Sequence, residues 1–164
     1  MVILNQQQIE NKIRRMASEI YECHAESGSL ILAGINNKGY DLALILQKTI
    51  EKMGHTNVSV CRLRLNPAQP IESEVNIDIP VQKFNDSNVV VIDDVANSGR
   101  TLFFALQAFL KVLTKKLETC VLVERMHKSY PISVEYVGVR LATTVKQNIE
   151  VIFNKNKPLE AQMF

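Results

Sequence analysis

Four consecutive apolar residues, Val89 to Ile92, three of them valine, run directly into two adjacent carboxylates, Asp93 and Asp94. After Val95 come the small residues Ala96-Asn97-Ser98-Gly99, and a helix-patterned stretch opens at Arg100 or Thr101. An unbroken apolar run bounded by polar residues suits a parallel strand buried on both faces, which requires crossover helices to cover it. This makes the chain α/β. Ligands of such sheets gather at the carboxyl ends of the strands, where the two acids lie. The small residues after them let the backbone wrap closely around an oxyanion with its amides turned inward. Adjacent carboxylates accept hydrogen bonds from the vicinal hydroxyls of a sugar, or hold a hydrated magnesium ion, which takes few carboxylates and several waters. A sugar phosphate satisfies both halves. Locally, a strand cap followed by a turn and a helix N-cap accounts for the same residues. Neither the Walker-type nor the dinucleotide glycine spacing is present.

The 164 residues suit one domain spanning 1–164. A chain of that size buries about 70% of its unfolded surface and needs no disulfide staples. A formal charge of +2 is too mild to argue for nucleic acid, although a local basic face stays open. Cys23, Cys61 and Cys120, odd in number and far apart, read as buried free thiols in a reducing compartment. No leader pattern opens the chain, and no apolar run approaches the ~20 residues a membrane crossing needs, so a cytoplasmic location is expected.

In chain order, Gln6 to Ala25 reads as an amphipathic helix capped by Asn5. Its Lys12, Arg14 and Arg15, with His24, form either a solvated face or one for an anionic partner. Ser29 to Ile35 is a short buried strand, and Asn36-Asn37-Lys38-Gly39 a loop opening the helix Tyr40 to Met53. That loop, with Lys38 supplying charge, is a second candidate phosphate holder, or a bare turn. Val58 to Leu65 alternates as a strand does, and Asn66 to Asn76 is a lid or a connector. The spacing predicts a helix over Leu102 to Leu117, with Lys111, Lys115 and Lys116 toward its end. Strands follow at Glu118 to Val123, with Glu124-Arg125-Met126-His127 just beyond, at Pro131 to Gly138, and near Ile149 to Phe153. The tail Asn154 to Phe164 packs or frays. No His, Cys and acid cluster has metal-ligand spacing. The expected architecture is a central, mostly parallel sheet of about five strands flanked by helices.

The run Asp93-Asp94, three residues, Ser98-Gly99-Arg100-Thr101 resembles the phosphoribosyl pyrophosphate (PRPP) signature of the type I phosphoribosyltransferases. Within that family the nearest likeness is to the pyrimidine-operon regulators that double as uracil phosphoribosyltransferases. Leu30 to Gly39 is similar to that group's LVGIKTRG stretch, Ile79 to Leu102 to its segment ending VDDVLYTGRT, and Val123 to Gly138 to its VDRGHRELPIRADYVG stretch. The three blocks fall in the same order.

The resemblance implies a PRPP-dependent transferase that joins a nucleobase, uracil or a related pyrimidine, to the phosphoribosyl group and releases pyrophosphate. Asp93 and Asp94 are implied to hold the ribose hydroxyls near magnesium. Ala96, Asn97, Ser98, Gly99, Arg100 and Thr101 are implied to bind the 5-phosphate, and Asn36, Asn37, Lys38 and Gly39 the pyrophosphate. Arg125, His127, Tyr136 and Val137 fall in segments that flank the base or, in the regulators, an RNA-facing surface. A homodimer and a small hood built from terminal segments are implied as well. The competing reading is a sensor of PRPP or a nucleotide that binds RNA, favoured if Arg14, Arg15, His24 and Lys128 share one surface. The chain also departs from its relatives. Asn36-Asn37-Lys38 replaces Lys-Thr-Arg, the Asn66 to Asn76 loop is shorter and lacks a Tyr-Arg-Asp-Asp start, and Asn97 stands where purine enzymes place an acid. Met126 replaces a Gly, and Val139 a Lys.

Overall fold

A computed structural model describes residues 1–144 and 147–164. Strand β1 (Val2–Leu4) precedes helix α1 (Gln6–His24), β2 (Leu30–Ile35), α2 (Asn36–Lys52), β3 (Val58–Arg64) and the short β4 (Asn76–Ile77). Then come β5 (Asn88–Ala96), α3 (Arg100–Ala105), β6 (Lys116–Arg125), β7 (Tyr136–Leu141), β8 (Ile149–Asn154) and β9 (Lys157–Met163). The main sheet has the order β4-β3-β2-β5-β6-β7. Its last five strands are parallel, and β4 is an antiparallel edge on β3. A second, antiparallel sheet of order β1-β9-β8 is the hood.

β5 lies inside the sheet because Val89 to Ile92 have apolar side chains for both faces, and all four are fully buried. One face carries α1 and α2, which bury Ile9, Met16, Ile20, Leu42, Leu46 and Ile50. Leu4, Ile149, Val151 and Ala161 of the hood join that same cluster. The other face gathers Leu63, Phe84, Phe109 and Val121 with α3. Helix α1 opens on a capping box, in which Asn5 and Gln8 exchange side-chain and backbone hydrogen bonds, each 2.9 Å long.

Several segments differ from the sequence reading. The helix expected over Leu102 to Leu117 ends at Ala105 and passes through a 3₁₀ turn, Leu106–Phe109. Asn85 Oδ1 accepts the Leu113 amide at 3.0 Å, and Lys115 donates to the Ser87 carbonyl at 2.9 Å. These bonds turn the chain back so that Lys116 starts β6 opposite Asn88. Leu110 and Leu113, which carried the helical period, are 80% and 79% exposed. α2 starts at Asn36, so the expected loop is its first turn. β6 runs on to include Glu124 and Arg125. Pro131 to Glu135 lies outside β7 and is tied to β6 through Thr119, which bonds the Ser133 carbonyl and the Glu135 amide. The tail is β9, paired on both sides; the three-residue β1 beside it was too short to show a period.

The cysteines divide: Cys61 and Cys120 are buried, but Cys23 is exposed. Burial pushes the Cys61 thiol up to about 12 and raises Cys120 as well. The residues of the alternative basic face have separate partners. His24 is buried, with Nε2 2.7 Å from Glu118 Oε2, an oxygen that also accepts the Tyr136 hydroxyl at 3.0 Å. Arg15 donates to the Val137 and Gly138 carbonyls at 2.8 and 2.7 Å, which blocks the free edge of β7. Lys128 pairs with Glu124.

Candidate active site

Two glycines bring the site together. A Cβ on Gly34 of β2 would lie 2.4 Å from the Tyr40 Cα, and one on Gly39 would lie 2.5 Å from the Ile92 carbonyl oxygen. Without them α2 would have to lift off the sheet. With them its first turn, Asn36-Asn37-Lys38, sits beside the acids that end β5. Asn36 takes the left-handed conformation (φ 51°), which Asn tolerates better than most residues.

A cleft of about 470 Å³ opens between that turn and Asp93, Asp94, Val95, Asn97 and Thr101; Pro67, Ile149 and Glu150 complete its rim. A smaller pocket of about 70 Å³ adjoins it, lined by Ala96, Ser98, Gly99, Arg100 and Leu102 and sharing Asp93, Val95, Asn97 and Thr101 with the cleft. Gly99 has φ 82°, so the turn into α3 needs a glycine there. The loop is held from behind: the Ser98 carbonyl accepts from the Ser129 and Tyr130 amides at 3.0 and 3.1 Å. Arg100 reaches across to the Pro67 carbonyl at 2.7 Å. Asn97 bonds both ways to the Ile149 backbone, at 3.1 and 3.3 Å, and so fastens the hood to the loop.

The two acids are poorly solvated. Burial first, then the charge of Asp94, hold the Asp93 carboxyl well above the ordinary carboxylate range. Burial raises Asp94 too, against the hydrogen bond with Asp93 and the charge of Lys38. Lys38 Nζ stands 3.9 Å from Asp94 Oδ2 but is nearer the hood, 3.1 Å from Glu150 Oε1 and 2.8 Å from the Val151 carbonyl. Two crowded carboxylates facing a cleft fit a divalent cation that takes its other ligands from water or substrate. Among the described residues no group of three His, Cys, Asp or Glu side chains forms a closed metal cage.

The residues Asn36 to Gly39, Asp93, Asp94 and Ala96 to Thr101 therefore converge. The other four do not. Arg125 is buried, donating from Nε to Thr143 Oγ1 at 2.8 Å and from Nη2 to the Thr144 carbonyl at 2.9 Å. Tyr136 and Val137 begin β7, opposite Cys120 and Val121; Val137 is level with Asp93 but two strands away, and neither residue lines a cavity of the site. Their side chains are in the core. His127 is exposed past the end of β6 and lines neither cavity. Sequence reasoning missed Pro67, Ile149 and Glu150 on the rim. Only the expected strand near Ile149 hinted at them, and nothing local says that it roofs the cleft.

Comparison with known proteins gives a consistent picture. The phosphoribosyl transferase domain family matches residues 2–153. The Bifunctional protein PyrR of Haemophilus ducreyi is 29% identical over 160 residues, covering 92% of this chain and 88% of that one. The same-named protein of Macrococcus caseolyticus is 30% identical, covering 94% and 92%. Among solved structures, a hypoxanthine-guanine phosphoribosyltransferase of Bacillus anthracis superposes with a TM-score of 0.73 at 20% identity, over 86% of this chain and 82% of that one. The hypoxanthine phosphoribosyltransferase of Trypanosoma cruzi gives 0.72 at 16% identity, over 85% and 81%.

Proposed function

Because the chain belongs to the phosphoribosyl transferase domain family, matched over residues 2–153, we propose that it transfers the 5-phosphoribosyl group of PRPP to a pyrimidine base, uracil or a relative, releasing pyrophosphate. The observation that carries this reading is the placement of Asp93 in the wall shared by two adjoining cavities, with Asp94 beside it facing the larger one. In this reading the smaller one takes the 5-phosphate against the amides of Ala96 to Thr101 and the hydroxyls of Ser98 and Thr101. The acids hold the ribose hydroxyls, and the first turn of α2 takes the pyrophosphate.

The base nitrogen attacks the anomeric carbon as the bond to pyrophosphate breaks, through an oxocarbenium-like transition state. Magnesium, when bound, is held by Asp93 and Asp94 and neutralises charge on the departing group. The chain itself positions the sugar and surrounds the developing charges with fixed dipoles. Asn97 supports the pyrimidine side of the choice, since it stands where purine enzymes place an acid, and its amide already makes one hydrogen bond from each atom to the Ile149 backbone. The PyrR name of the relatives leans the same way.

An RNA-binding sensor draws less support, because His24, Arg15 and Lys128, which would build its basic face, have partners inside the fold. Dimerisation belongs to the proposal, and sedimentation equilibrium tests it. The site assignment is tested by calorimetry of PRPP with magnesium on the Asp93→Asn, Asp94→Asn double variant. Binding is expected to be lost; unchanged affinity would refute the assignment.

A further inference from the structure

Asn36 and Asn37 stand where the relatives the chain resembles carry Lys-Thr, and each has had its acceptor atom taken by the protein. Asn36 Oδ1 accepts the Leu65 backbone N–H at 3.1 Å. Asn37 Oδ1 accepts from Arg62 Nη1 at 3.4 Å. Both partners can only donate, so the orientation of each amide is dictated: oxygen toward β3, nitrogen away from it. Neither Nδ2 donates to any protein atom among the described residues, and both residues line the cleft.

Arg62 is itself held for this purpose. Its guanidinium carbon lies 4.0 Å from the Tyr40 ring centroid, and its backbone N–H is bound by Asp78 Oδ1 at 2.8 Å. Its Nε is the one buried side-chain polar atom without a partner among the described residues. Such an orphan in a native structure asks for a reason. Here the guanidinium is kept on the aromatic face and against Asn37 instead of being turned to satisfy Nε.

We propose that Arg62 is a positioning residue which, with the Leu65 amide, fixes the side chains of Asn36 and Asn37 as a pair of Nδ2 donors for the pyrophosphate group of the substrate. The inference rests on the PRPP reading of the cleft. It supplies what the missing cation would have given, namely hydrogen bonds to a polyanion from oriented neutral amides, with the Arg62 charge acting through Asn37. Lys38 remains the one cation of the turn itself.

The test is calorimetry with magnesium pyrophosphate, and with ribose 5-phosphate as the probe for the smaller pocket. Asn37→Asp keeps the acceptor for Arg62 and replaces the donor by a carboxylate oxygen. It is expected to weaken pyrophosphate binding at least tenfold, the scale of a lost hydrogen bond to a charged group, and to leave ribose 5-phosphate unchanged. Arg62→Met is expected to weaken pyrophosphate binding severalfold in the parent but to have no further effect in an Asn37→Ala background. If Arg62→Met binds pyrophosphate as the parent does, or loses as much without Asn37 as with it, the proposal is overturned while the reading of the cleft stands. If Arg62→Met does not fold, Asn37→Asp decides alone, and unchanged pyrophosphate affinity overturns the proposal. A parent chain that binds neither probe overturns both.

Discussion

Asp93 is held in a place that suits a ligand better than it suits the fold. Its carboxyl sits well above the ordinary range because of burial and then the Asp94 charge. A group whose pKa is raised on folding favours the folded state below its unfolded value of 3.8 and loses that contribution as pH rises through the folded value. Once pH has risen through that folded value, the ionised side chain therefore works against stability. Asp93→Asn is expected to stabilise the chain by about 1 kcal/mol at pH 7, raising Tm by roughly 3 °C, while PRPP binding falls. Melting curves at pH 4 and 7 check this, with the gain confined to the higher pH. The placement of these residues was legible because the motif is contiguous: strand, acids, small loop and helix start follow one another in the chain. Arg62, Glu150 and Pro67 were not legible, since each reaches the site from an element distant in sequence.

Among elements, the first turn of α2 depends on two glycines, and Asn97 fastens the hood to the loop after β5. Gly34→Ala puts a methyl group 2.4 Å from the Tyr40 backbone, so α2 must move. A cost of about 1–3 kcal/mol is expected from chemical denaturation, together with weaker pyrophosphate binding as Asn36 to Lys38 shift away from the acids. At the other end of the sheet, α1, β6 and β7 meet around Glu118. Burial raises its carboxyl, but hydrogen bonds from Lys116, His24 and Tyr136 outweigh it, and the group sits below its ordinary 4.5. That stability is present above the unfolded value and is lost as pH falls through the folded one. Glu118→Ala, which leaves His24 buried without its partner, is expected to cost about 3 kcal/mol at pH 7 and to flatten the acid limb of the stability curve. His24 and Tyr136 sit in this network, although the sequence places His24 on a solvated or anion-facing surface and Tyr136 in a segment flanking the base. One-dimensional spacing assigns a face, and the crossing of α1 over β6 decided which face was inside. The overlong helix after Thr101 fails for a related reason: Leu110 and Leu113 kept the period, but the chain must return to place Lys116 beside Asn88.

For the whole molecule, the hood and the main sheet share one apolar cluster, with Leu4, Ile149, Val151 and Ala161 packed among the residues of α1 and α2. We expect residues 1–164 to unfold as one unit in calorimetry, with matching van't Hoff and calorimetric enthalpies. The α/β class and the parallel core could be anticipated from the order of apolar runs, and the terminal hood from the family resemblance. The edge strand β4 and the three-residue β1 could not, because segments that short carry no period. Whether the assembled cleft turns over is the central question, given its short Asn66 to Asn76 loop and amide-rich first turn. The direct measurement is pyrophosphate release after uracil is added to the chain with PRPP and magnesium, run beside a panel of other bases. The account predicts release with uracil or a related pyrimidine and little with hypoxanthine or guanine. PRPP binding with no release across the panel would contradict it.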